Sequence, residues 1–106
     1  MGVESLYREI AERAVRGAGG RALLRPADAI QMINRAAEAG VPIVQVGGLP
    51  LGSGEPRRSA LAMVDFSASV ADGHGCWTQA EAFIQRRVED GLGFELTLGD
   101  DPINAA

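Results

Sequence analysis

Apolar residues recur at steps of four near the start of the chain, at Leu6, Ile10, Ala14 and Ala18, with Arg8, Glu9, Glu12, Arg13 and Arg16 between them. That spacing lays one stripe along an α-helix. Gly17-Ala18-Gly19-Gly20 predicts its end, because glycine adds backbone entropy and accepts a left-handed C-cap. Arg21-Ala22-Leu23-Leu24 then reads as a short strand. Pro26 opens a second helix, since proline at the first turn loses no needed N–H. Ile30, Met32, Ile33, Ala36 and Ala37 form the buried face of this helix, and Gly40-Val41-Pro42 stops it.

Ile43-Val44-Gln45-Val46 is short and β-branched, so it reads as a buried strand. From Gly47 to Pro56, glycine and proline interrupt the chain repeatedly and predict a long loop. Ala60 to Phe66 alternates, with Ala62, Val64 and Phe66 on one side and Leu61, Met63 and Asp65 on the other, which predicts a mostly buried strand. After a loop from Ser67 to Trp77, Thr78-Gln79-Ala80-Glu81 has the form of a capping box. The third helix it opens buries Ala80, Phe83, Ile84 and Val88 and is capped by Gly91. Phe94, Leu96 and Leu98 alternate with Glu95 and Thr97 in a last strand, one face of which is open to water or a partner.

The element order is a helix followed by β-α-β-β-α-β, the ferredoxin-like α+β sandwich with an added N-terminal helix. If Arg21–Leu24 does not form a strand, a three-stranded variant remains. At 106 residues, the chain is expected to be one domain. No apolar run reaches the roughly 20 residues that span a bilayer, and the start lacks a secretory pattern. With Cys76 as the one cysteine, a reducing, cytoplasmic setting is expected, without a membrane partner.

Net charge is −4, which disfavours a phosphate backbone and so nucleic acid as a partner. All ten cations are arginine. Schiff-base chemistry and the phosphate-loop lysine are therefore excluded, and no cofactor or metal is expected. The glycine-rich loop at 47–54 follows a strand, but no helix opens after it to hold a phosphate, so it reads as a connection or a partner-binding lip. Asp65 reads as a tie to the following loop through Ser67 and Ser69.

Two sets of side chains are the candidate sites. Asp72, His74 and Cys76 alternate along one loop. Cys76 stands ahead of a helix, where the positive dipole end favours a thiolate, and His74 could serve as its base. Against this stands a glycine-flexed loop whose Cys76 and Trp77 tuck beneath the helix. Glu89, Asp90, Glu95, Asp100 and Asp101 make the C-terminal third acidic and suited to steering a basic partner.

Ala27-Asp28-Ala29-Ile30, Gly40-Val41-Pro42-Ile43-Val44, Met63-Val64-Asp65-Phe66-Ser67 and the stretch from Trp77 to Leu98 together resemble small α+β immunity proteins of bacterial toxin systems. These are core and turn residues, and no functional residue carries over with them. The resemblance implies a non-catalytic inhibitor that blocks a cognate, basic toxin domain. The leading expectation is thus a protein-binding module, immunity-type or regulatory. The alternative is a small ferredoxin-like enzyme or ligand-binding domain using Asp72, His74 and Cys76, with a homodimer through the sheet as a further option.

Overall fold

The computed structural model describes residues 2–16, 22–51 and 62–99. In chain order these form α1 (Val3–Arg13), β1 (Val15–Arg16), β2 (Ala22–Leu23), α2 (Pro26–Ala39), β3 (Ile43–Pro50), β4 (Ala62–Asp65), α3 (Ser67–Ala71), α4 (Trp77–Gln85), a 3₁₀ turn (Val88–Asp90) and β5 (Leu92–Leu98). The fold is α+β. No helix among the described residues is long and apolar enough to cross a membrane.

The main sheet has three antiparallel strands in the order β4-β3-β5. Register decides which side chains share a face: Val64, Val46 and Leu96 stand in one row toward the helices, while Met63, Gly47 and Glu95 stand in the next row on the opposite face. Leu92, Phe94, Leu96 and Leu98 are all buried, as the period of two requires when one face meets a core. They pack with Ala29, Met32, Ile33 and Ala36 of α2 and with Ala80 and Ile84 of α4.

The expected first strand is largely diverted. Ala22 and Leu23 pair with Arg16 and Val15 in a two-stranded ribbon, and only Leu24 reaches the main sheet, through an antiparallel bridge to Phe94. The Leu24 and Phe94 amides exchange hydrogen bonds of 2.9 and 2.8 Å. The described sheet is therefore the three-stranded variant, not a full four-stranded ferredoxin-like one. Pro26 at the first turn of α2 leaves Leu24 and Arg25 too little chain to run along β5.

Leu23 folds over the back of the sheet. A Cβ on Gly93 would stand 2.7 Å from the Leu23 Cβ and 2.6 Å from the Leu51 Cδ2, so only glycine lets these two side chains close on β5. The same ribbon ends α1 at Arg13 instead of near Ala18: Ala14 is extended, and Val15, β-branched, pairs in the ribbon. Ala18 lies outside the described residues.

Three further expectations change. Residues 47–50 are not loop, because β3 continues through them, paired with β5 at all four positions and with β4 at Gly47 and Gly48; these ladders outweigh the weak strand preference of glycine. The loop after Phe66 contains α3. Val88 leaves the core: α4 ends at Gln85, and Val88, in the 3₁₀ turn, is 48% exposed.

α1 is tied to α2 by charge. Glu9 meets Arg13 at 3.0 Å and Arg35 at 2.7 Å, while Arg13 also meets Asp28 at 3.3 Å. The Arg35 Nε–H is buried and out of line for a hydrogen bond with Glu9, so that contact is an ion pair only. Tyr7 completes the docking: its hydroxyl oxygen accepts the Leu98 N–H at 2.8 Å and covers the edge of β5 that β3 leaves open.

Candidate functional site

The 72–76 loop is held by its backbone. Gly73 has φ 92°, a left-handed conformation natural to glycine. The His74 N–H donates to Ser69 O at 3.0 Å, and Gly75 O accepts the Ile43 N–H at 2.9 Å. Trp77 lies across Gly75 and donates its indole N–H to Val41 O at 2.7 Å. The loop is thereby clamped between α3 and the start of β3.

This clamp places Cys76 in an unusual state. With φ 63° it is the one described non-glycine residue at positive φ, and its side chain is 4% exposed. The capping box is not formed: α4 begins at Trp77, with Cys76 in the cap position and no side-chain cap bond. The indole hydrogen bond explains the earlier start, since it draws Trp77 into line with α4.

The thiol faces the His74 backbone carbonyl, Sγ to O 3.8 Å, instead of an imidazole. Burial pushes the Cys76 pKa up, with a hydrogen bond from the Ser69 side chain pulling weakly the other way. Cys76 is thus held as a neutral thiol at neutral pH. Asp72 and His74 are exposed. No side-chain base among the described residues is bonded to the thiol. Among the described residues, no group of three or more His, Cys, Asp or Glu is placed to hold a metal ion.

The acidic residues are spread along β5. Glu89 and Asp90 are exposed on the 3₁₀ turn ahead of it. Glu95 is half-buried midway along the strand, across from Gly47. Asp100 and Asp101 lie outside the described residues; Gly99, the last of those, sits at the far end of β5.

Asp65 makes the Ser67 half of its expected tie: its carboxylate accepts the Ser67 N–H at 2.7 Å and joins β4 to α3. Hydrogen bonds from the Ser67 side chain and backbone hold its pKa below the usual carboxylate value.

One surface feature had no sequence signal. Between β4 and α4 lies an open groove of about 550 Å³, with walls from Val64, Phe66, Ala82 and Phe83 and with Thr78, Gln79 and Arg86 on its rim. It exists because α4 leaves part of the inner face of β4 uncovered, a fact of helix placement that alternation along β4 could not reveal. Arg87 is directed elsewhere, over the Phe83 ring at 3.9 Å, with its Nη1 donating to Phe83 O at 3.0 Å.

No protein-family model matches the chain, and no curated protein matches it.

Proposed function

We propose that this chain is a non-catalytic protein-binding module, an immunity-type inhibitor or small regulatory domain whose partner is a basic protein such as a toxin domain. The observation that carries the reading is the Val88–Asp90 turn. It presents a half-exposed Val88 beside two exposed carboxylates, Glu89 and Asp90, on a chain of net charge −4. An apolar contact with a charged margin suits a partner surface of opposite sign, where the charges steer encounter and the apolar group is buried on contact. The chemistry at Cys76 agrees with a binding role: a neutral thiol turned toward a backbone carbonyl is poorly set for nucleophilic attack.

The test is association with the purified products of neighbouring genes, measured by stopped-flow and calorimetry at low and high salt. Reversing both charges (Glu89→Arg with Asp90→Arg) is expected to slow association about tenfold at low salt, with the difference shrinking as salt rises. Absence of any complex at low salt, or rates indifferent to the reversal, would sink the reading.

A further inference from the structure

The geometry points to the β4–α4 groove as a docking site for an extended peptide segment, added as a fourth strand on β4, with apolar side chains at alternate positions and a carboxylate at the Arg86 end.

Backbone direction supplies the first reason. The Phe66 N–H donates to Val44 O at 2.7 Å, toward β3. Backbone groups alternate sides along a strand, so Val64 also turns its N–H and C=O to β3, whereas Met63 and Asp65 turn theirs to the outer edge. No described residue pairs with that edge. Two residues, two positions apart, whose outward donors and acceptors no described residue meets are what an incoming strand requires.

The groove supplies the second. Val64 and Phe66 face the helix side of the sheet and form one wall, while Ala82 and Phe83 of α4 form the other. A strand laid along β4 projects every second side chain to that side, so its apolar residues enter between Phe66 and Phe83. A volume of about 550 Å³ takes side chains of this kind.

Charge and direction fix the rest. Among the described residues, Arg86 is the one ionisable side chain lining the groove, and it is exposed; a guanidinium matches a carboxylate with two parallel hydrogen bonds. Trp77, bonded to Val41 O just before β3, puts the start of α4 at the end of the sheet where β4 finishes. Arg86 therefore lies toward the start of β4, and a segment ending in its own carboxylate there runs antiparallel to β4. This surface uses residues other than the Val88–Asp90 turn, so it stands or falls separately from the basic partner proposed above.

A phage-displayed library of random short peptides with free C-termini, selected against the full chain, tests the proposal. Enriched sequences should alternate apolar residues and end in, or carry, a carboxylate. Synthetic versions should bind Met63→Pro and Arg86→Glu about tenfold more weakly. Proline at position 63 removes only an outward N–H and leaves the pairing with β3 intact. Ala82→Arg, which fills the groove without touching the strand, should weaken binding equally and serves should Met63→Pro lose its fold by circular dichroism. No enrichment, peptides that bind these variants as tightly as the parent, or a homodimer whose β4 edges pair with each other would overturn the proposal.

Discussion

Replacing Gly75 by alanine sets two effects of known size against each other. Gly75 does not have positive φ, so alanine is allowed by the backbone. Less freedom in the unfolded chain should then stabilise by about 0.4–1 kcal/mol. Space argues the other way: a Cβ at this position would stand 2.3 Å from Cη2 and Cζ3 of Trp77 and 2.5 Å from its Cε3. The ring cannot yield freely, because its N–H is held by Val41 O at 2.7 Å. Forcing extra volume into a packed site costs about 1–3 kcal/mol, and losing the indole hydrogen bond adds about 1 kcal/mol. Clash wins, and the net expectation is a loss of about 2 kcal/mol, or about 10 °C in Tm for a domain of this size. Urea unfolding followed by the fluorescence of Trp77, the single tryptophan, measures it. In a Trp77→Leu background, followed by circular dichroism, the same change should become neutral or stabilising. Equal midpoints for Gly75→Ala and the parent, at unchanged m, would refute the clamp.

Other outcomes follow from the same packing. Cys76 should react with a disulfide reagent at pH 8 only as fast as the protein opens, which stopped-flow absorbance checks; immediate stoichiometric reaction would show an accessible thiol. Because burial raises the Cys76 pKa in the folded state, its contribution is fully present below the unfolded value. Above about pH 8.5 the unfolded chain releases a proton the native state still holds, so stability should fall there, and Cys76→Ala should flatten that part of the pH profile. Asp65 runs in the opposite sense: its folded pKa is lowered by Ser67, so its contribution is present above the ordinary carboxylate value and lost as pH falls. An NMR titration should place its midpoint below that of Asp65 in Ser67→Ala, which keeps the backbone N–H bond and loses only the hydroxyl; equal midpoints would remove the hydroxyl's share. Ile84→Ala, at a fully buried position where α4 meets α2 and the sheet, should cost about 3 kcal/mol by chemical denaturation, and a cost below about 1 kcal/mol would contradict the placement of α4.

Local chemistry made several elements readable from residues alone. The stripe through Met32, Ile33 and Ala36 and the glycine at position 40, which does take φ 73°, mark α2, because helix periodicity and the left-handed cap are properties of neighbours in sequence. The alternation from Phe94 to Leu98 marks β5 for the same reason, and the short reach from Asp65 to Ser67 was legible because both partners lie within one turn of chain.

Tertiary contacts decided what neighbours could not. Gly47 to Pro50 became strand because β5 pairs with all four residues and β4 with the two glycines. Ala22 and Leu23 joined a ribbon instead of the sheet because Val15 and Arg16 were available to them. The sequence left Cys76 either as a nucleophile ahead of a helix or tucked beneath it with Trp77; the bond from Trp77 to Val41, thirty-six positions earlier, accompanies a buried thiol and so favours the second. The groove beside Phe66 and Phe83 is likewise set by where α4 crosses the sheet. Periodicity tells which face of an element is apolar; only the packing of elements far apart in the chain tells how much of that face is covered.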